Sequence, residues 1–261
     1  MATFFGEVVF SASRAIDDED DDDSFVNENS EVITLDLSPA FSKPTNDVGK
    51  ATDQLVLTLG PAANVFADCY ILHQEKETVG TMNKRLDRDG QPIEGAILSR
   101  LREHTDVLLC KCVKDIEQHL QFSFVEQLFS FLGNSNTSVT ILSSCSGSDY
   151  KTHRQDVSFP ILRCLKTSSF TGEVAAPHLE PPNTISGLAS SALSYCQIHG
   201  IPAVMYVIYT DSIFMDSGAI TAFNPLLKLQ PFRKVAKKTN NFQGIIKAAV
   251  DRPSNLDSLY T

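Results

Sequence analysis

Ala203-Val204-Met205-Tyr206-Val207-Ile208-Tyr209 is an unbroken apolar run, and it constrains the fold more than any other stretch of these 261 residues. A half-exposed strand alternates polar and apolar side chains, whereas a continuous apolar run suits a strand covered on both faces. The run therefore reads as a strand at the centre of a sheet, with packed elements above it and below it. One such element precedes it directly. Ile185, Leu188, Ala189, Ala192, Leu193 and Cys196 fall at i, i+3, i+4, i+7, i+8 and i+11, which predicts a helix from about Thr184 to His199. Asn183 can cap its start, Gly200 can close its end, and Pro202 forbids continuation. Ser186, Ser190, Ser191, Ser194 and Gln197 form the opposite face, which meets water or a partner.

Strand and helix signals alternate along the rest of the chain. Glu31 to Leu37 places Ile33, Leu35 and Leu37 on one face and suits a half-buried edge strand. Gln54 to Leu59 predicts a buried strand, turned by Gly60-Pro61 into a helix through about Leu72. Asp106 to Cys112 is another strand, followed by the helical stripe Phe124, Val125, Leu128, Phe129 and Leu132, closed by Gly133. Thr137 to Leu142 is the next strand, with Ser143 to Thr152 as the loop after it. Repeated strand-helix-strand units favour a parallel sheet with right-handed crossovers. The expected fold is α/β, three-layered, with a mostly parallel sheet and helices on both faces. Between His73 and Thr105 polar and charged residues dominate, turns are signalled at Asp89-Gly90 and Pro92, and no periodic element stands out.

The two ends differ from this body. Asp17 to Asp23 is a run of seven acids that repel one another and bury nothing, so a disordered, solvated spacer is expected there. Phe4 to Phe10 before it is apolar and is expected to dock on the body or on a partner. At the other end Asp251 to Ser258 has no period and serves as a tether for Leu259, Tyr260 and Thr261. An apolar residue, a tyrosine and a free carboxylate in succession can enter a narrow slot, ring first, with the carboxylate held by a lysine or backbone donors. The implied organisation is an arm over 1–30, one α/β domain over 31–250 and a tail over 251–261.

The formal charge of −10 is local: of 32 acids and 22 bases, eleven acids and one base lie in residues 1–36, which leaves 21 of each for the remainder. A neutral body makes no electrostatic case for nucleic acid or an anionic membrane as partner. Residues 228 to 252 reverse the bias, with Lys228, Arg233, Lys234, Lys237, Lys238, Lys247 and Arg252 against Asp251 alone. They form either a solvated helix face or a docking face for an acidic protein surface. The start lacks a basic n-region, no apolar run approaches the ~20 residues of a membrane helix, and the six cysteines are scattered, so a soluble intracellular protein with free thiols is expected.

Catalytic chemistry finds no constellation. An active site in an open α/β sheet sits at the carboxyl ends of the strands. There, Gly60-Pro61-Ala62-Ala63-Asn64 has the position of a phosphate loop but one glycine, and Pro61 removes a donor. Ser143 to Ser148 offers hydroxyls and Cys145, yet the chain has no G-x-S-x-G elbow and no histidine identifiable as a base. Asp211 stands where a catalytic acid could, or is a plain turn residue. Cys110 and Cys112 lack a second pair at metal-ligand spacing and read as buried thiols. No catalytic, cofactor or metal site is expected.

Several short segments together resemble the proteasome assembly chaperones: Met1-Ala2-Thr3-Phe4-Phe5-Gly6-Glu7-Val8-Val9 with the acidic tract after it, Thr140-Ile141-Leu142, Asp149-Tyr150-Lys151-Thr152 and Leu165-Lys166-Thr167. Leu193-Ser194-Tyr195-Cys196-Gln197, Ile201-Pro202-Ala203, Tyr209-Thr210-Asp211, Ala222-Phe223 and the terminal Tyr260-Thr261 continue the pattern in order. The resemblance implies a fold related to purine nucleoside phosphorylases without their activity; an enzyme of that type is the alternative reading. It implies pairing with a homologous chaperone, proteasome assembly chaperone 2, and binding of the pair to the outer face of the alpha ring of the 20S proteasome. Leu259, Tyr260 and Thr261 would enter a pocket between alpha subunits, and alpha rings would be kept from pairing wrongly. A cytoplasmic location follows, with the endoplasmic reticulum as a further site. Deleting residues 1–10 is expected to weaken partner binding or lower the melting temperature; a deletion protein unchanged in both would remove the docking role of Phe4 to Phe10.

Overall fold

In a computed structural model, Ala203–Thr210 is a strand with seven of its eight residues buried. The structure describes residues 31–39, 52–86, 92–132, 137–152, 157–211 and 216–250. The expectations for the arm, the acidic run, the turn at Asp89-Gly90, Gly133 and the tail lie outside the described residues. In chain order the elements are β1 (Glu31–Leu37), β2 (Gln54–Thr58), α1 (Pro61–Tyr70), β3 (Lys76–Leu86), β4 (Ile93–Leu101), β5 (Val107–Cys112) and α2 (Gln121–Leu132). There follow β6 (Ser138–Ser146), β7 (Ile161–Lys166), α3 (Gly187–Ile198), β8 (Ala203–Thr210), α4 (Ser217–Thr221), α5 (Phe232–Val235) and α6 (Phe242–Val250).

The eight strands form one sheet in the order β1-β3-β4-β5-β2-β6-β8-β7. The expected sheet is corrected from mostly parallel to mixed. β5, β2, β6 and β8 run parallel, while β1, β3 and β4 add an antiparallel wing on one side and β7 pairs antiparallel with β8 on the other. The wing comes largely from the stretch without a clear period. In β3 the register slips around Val79 and again after Met82, so these two buried residues, three apart, reach the same core. Such slips hide a strand from a period of two.

β8 is also not central; it is second from the edge. Full burial along it reports cover on both faces, not rank within the sheet. On one face Ala203 and Met205 join Leu55, Leu57, Val139 and Ile141 under α2 and α3. On the other, Val204, Tyr206 and Ile208 join Val56, Leu109 and Leu142 under α1, α4, α5 and α6. Helices on both faces were expected and are present.

Local chemistry explains the element ends. Gly60 takes φ +85°, in the left-handed region, and Pro61 opens α1 with a fixed φ and no orphan N–H. The helix expected from Thr184 starts only at Gly187, whose φ of +76° prevents extension backwards, so Asn183 does not cap it. Its end is as expected, with Gly200 at φ +68°. The five-residue stripe of α2 is buried throughout.

Phe66 ties the second core together: its ring centre lies 5.0 Å from Tyr70, 5.4 Å from Phe223 and 5.8 Å from Phe232. Phe66 is fully buried. Phe66→Ala is expected to destabilise the protein by about 3–5 kcal/mol, read by urea denaturation, through the cavity left among three aromatic partners.

Candidate functional site

Among the described residues, the chain's own contacts occupy the carboxyl ends of β2, β5 and β6. A Cβ at Gly60 would come within 2.7 Å of Ser144 Oγ, so this turn is packed against β6 rather than open as a phosphate cradle. Thr58 Oγ1 donates to Asn64 Oδ1 at 2.7 Å, and Asn64 Nδ2 donates to the Cys112 carbonyl at 2.6 Å. Lys111 Nζ lies 2.7 Å from Asp68 Oδ1. Ser143 to Ser146, expected in a loop, instead extend β6 and pair with Val207 to Thr210 of β8. Asp211 is exposed. Cys110 and Cys112 are buried in one cluster, and a hydrogen bond between them together with burial pushes the Cys112 thiol far up. Among the described residues no group of three His, Cys, Asp or Glu could hold a metal ion. None of their helices is long and apolar enough to cross a membrane.

Three residues that the sequence did not connect form a polar network at the β7 edge. Arg163 Nε donates to Glu180 Oε2 at 3.0 Å, Arg163 Nη2 donates to the Tyr150 hydroxyl at 2.6 Å, and that hydroxyl donates to Glu180 Oε1. Arg163 and the Tyr150 hydroxyl hold the Glu180 carboxyl down at about 2. Burial pushes the Tyr150 hydroxyl up. The network fastens the segment around Glu180 to β7, where Leu179 N donates to the Cys164 carbonyl at 2.8 Å and Cys164 N to the Pro177 carbonyl at 2.9 Å. Asn183 belongs to the same edge: its Oδ1 accepts from Lys151 N at 2.7 Å and its Nδ2 donates to the Lys151 carbonyl at 2.9 Å. The three members come from separate segments, and no spacing in the sequence links them.

The second candidate surface is the root of the tail. Leu259, Tyr260 and Thr261 lie outside the described residues, but α6, which ends at Val250, is held to the body. Ile246 is buried, the Phe242 ring sits 5.7 Å from Tyr70, and Lys238 Nζ lies 4.3 Å from the Phe242 ring centre. Lys237 N donates to the Tyr70 carbonyl at 2.8 Å and Thr239 N to the Cys69 carbonyl at 3.0 Å. The basic stretch is divided. Lys234 pairs with Asp106 at 2.7 Å and Lys237 with Glu103 at 2.5 Å. Lys228, Arg233 and Lys247 are exposed and have no acidic partner among the described residues.

The decisive comparison is one of whole chains. A family model, PAC1, described as Proteasome assembly chaperone 4, matches residues 1–261. A protein named Proteasome assembly chaperone 1, from Danio rerio, is 35% identical over 282 aligned residues that cover all of both chains. This chain belongs to the PAC1 family of proteasome assembly chaperones. Solved structures agree in fold. A Thermoplasma acidophilum protein of unknown function superposes with a TM-score of 0.57 at 14% identity, covering 81% of this chain and 89% of its own. Pyrococcus furiosus PbaA, an archaeal homolog of proteasome-assembly chaperone, does so with 0.55 at 11% identity, covering 84% and 87%. In this PAC1-family chain, then, the packed turns and the clamped β7 edge form a scaffold to which α6 is fastened.

The edge network has a pH signature. Glu180 titrates lower in the folded than in the unfolded protein, so its contribution is complete above its ordinary value of 4.5 and drains away as pH falls toward 2. Glu180→Gln is expected to lower stability by about 0.5–1 kcal/mol at pH 7, the range for solvent-screened pairs. The difference from wild type should vanish near pH 2, measured by denaturant titration across pH.

Proposed function

We propose that this chain promotes assembly of the 20S proteasome as a heterodimer with a homologous chaperone, proteasome assembly chaperone 2. The pair binds the outer face of the alpha ring, and Leu259, Tyr260 and Thr261 of this chain enter a pocket between neighbouring alpha subunits. Occupying that face favours ring completion and prevents two alpha rings from dimerising. The role is a binding one, without cofactor or catalysis, and is carried out in the cytoplasm and at the endoplasmic reticulum. The observation that carries this reading is membership of the PAC1 family over residues 1–261.

Physical chemistry supports the part assigned to the tail. Residues 251–261 can reach about 35 Å from the end of α6 at roughly 3.3 Å per residue. Burying Leu259 and the Tyr260 ring contributes about 3–6 kcal/mol, whereas ordering the tether costs about 1 kcal/mol for each residue fixed. The tail alone therefore binds weakly. A body interface and a partner raise its effective concentration and leave the complex releasable. Lys247, exposed on α6, and the exposed Lys228 and Arg233 earlier in the same basic stretch favour an acidic protein surface.

Removing Leu259 to Thr261 is expected to leave the melting temperature unchanged and to weaken binding to purified alpha rings at least tenfold, with Tyr260→Ala producing most of that loss. Surface plasmon resonance on immobilised rings reads the outcome, and equal affinity of full-length and truncated chains would refute insertion of the tail.

A further inference from the structure

The chain enters its sheet at a fixed point. β1 is the outermost strand on one side, and its first residue, Glu31, is held from two directions. Lys84 Nζ of β3 lies 2.9 Å from Glu31 Oε1, and His119 Nε2 lies 3.1 Å from Glu31 Oε2. Lys84 also pairs with Glu117, so the start of β1, the end of β3 and the turn Gln118–Leu120 before α2 are tied together. His119 stands three residues before Phe122, a spacing that puts both on one side of a helical turn. The Phe122 side chain is 67% exposed. The chain outside the described residues, 1–30, thus joins the body beside the most exposed Phe or Tyr ring in it.

Two more apolar side chains open to solvent belong to this end of the sheet: Val32, next to Glu31, and Val113, just past β5. Val113 N donates to the Gly95 carbonyl at 2.9 Å, which sets it at the start of β4, and that start pairs with the end of β3. Three of the five large apolar side chains exposed among the described residues therefore lie on segments gathered where the chain enters.

Charge selects what the Phe122 patch takes. Asp115 and Glu117 stand exposed before it and Glu126 one turn after it, whereas the bases on this stretch are Lys114 and the His119 already bound to Glu31. Such a rim repels the acidic run Asp17 to Asp23, nucleic acid and anionic lipid alike. An apolar segment fits it. Phe4 to Phe10 is one, with three Phe, two Val and a single acid, Glu7. The twenty residues 11–30 between this arm and β1 span roughly 25 Å as a flexible coil, and their acids extend them further. At that length the arm meets the patch at an effective concentration on the order of millimolar, so a small apolar area is enough to hold it.

We infer that the arm Phe4 to Phe10 folds back onto its own chain and covers Phe122 at the start of α2, with Glu31 as the pivot. The acidic run stays in water as the tether. The arm and the ring shield each other, and drawing the arm away uncovers Phe122.

The chain contains no tryptophan, so Phe122→Trp in the full chain installs a single reporter at an exposed position. Its emission is expected to be blue-shifted and protected from acrylamide at every protein concentration. Deleting residues 1–10 is expected to shift the emission to the red and raise the quenching constant at least twofold. Ile198→Trp is a control at the other end of the α2–α3 layer, where Phe129 meets Tyr195, and is expected not to respond to the deletion. Should the deletion impair folding, Phe4→Ser with Phe5→Ser and Phe10→Ser removes the rings at constant length, and the same exposure is expected. Equal quenching at position 122 with and without the arm overturns the inference, as does a response at both positions. Protection that appears only as concentration rises assigns the patch to a second copy of the chain and overturns it equally.

Discussion

Cover on both faces of the parallel strands is the constraint from which the rest of this structure follows. A strand such as β8 has no side left for water, so Val204, Tyr206 and Ile208 must be met by one helical layer and Ala203 and Met205 by another. The two layers meet the demand differently. α2 and α3 are two regular three-turn helices with stripes of Leu, Phe, Val and Ala. The other layer has one long element, α1, and completes itself from short pieces, α4, α5 and α6, which Phe66 gathers through Phe223, Phe232 and Tyr70.

How much of this could be read in advance depended on whether the signal was local. The parallel strands and the stripes of α2 and α3 are periodic within a dozen residues, so Leu55, Leu57, Phe124, Leu128 and Ala192 could be placed in a core from sequence alone. Of the antiparallel wing, β1 was legible as an edge strand, but β3 and β4 were not, because β3 is bulged at Val79 and after Met82 and neither strand keeps a clean alternation. In β3, polar residues such as Lys76, Glu77 and the buried Asn83 interrupt any apolar alternation. The start of α3 was misplaced because Asn183 looks like a cap, while its side chain in fact holds Lys151 across the β7 edge. The network of Tyr150, Arg163 and Glu180 depends on three segments meeting in space, and nothing in any one of them announces the other two. The part given to Leu259, Tyr260 and Thr261 rests on their chemistry and on family resemblance, since they lie outside the described residues.

The distribution of charge turns a plain α/β scaffold into a two-sided object. Acidic residues concentrate before β1, bases concentrate on the segments after α4, and α2 and α3 are nearly free of both. Some of the bases serve the fold itself, as Lys234 and Lys237 do by fastening α5 and the following segment to Asp106 and Glu103. Of the remainder, Lys228, Arg233 and Lys247 stand exposed on that side of the sheet.

The stretch that runs alongside β7, held by Cys164, Leu179 and the Glu180 carboxylate, also limits how these molecules can associate. A sheet that is open at both ends can be extended by copy after copy into a fibre, each molecule passing the template on to the next. The chain's own backbone pairs with β7 at its middle, where Cys164 bridges to His178, so a neighbouring strand cannot run the length of this edge without displacing that segment. A one-residue bridge placed mid-strand thus acts as a guard on that end of the sheet, at the cost of two backbone hydrogen bonds' worth of chain.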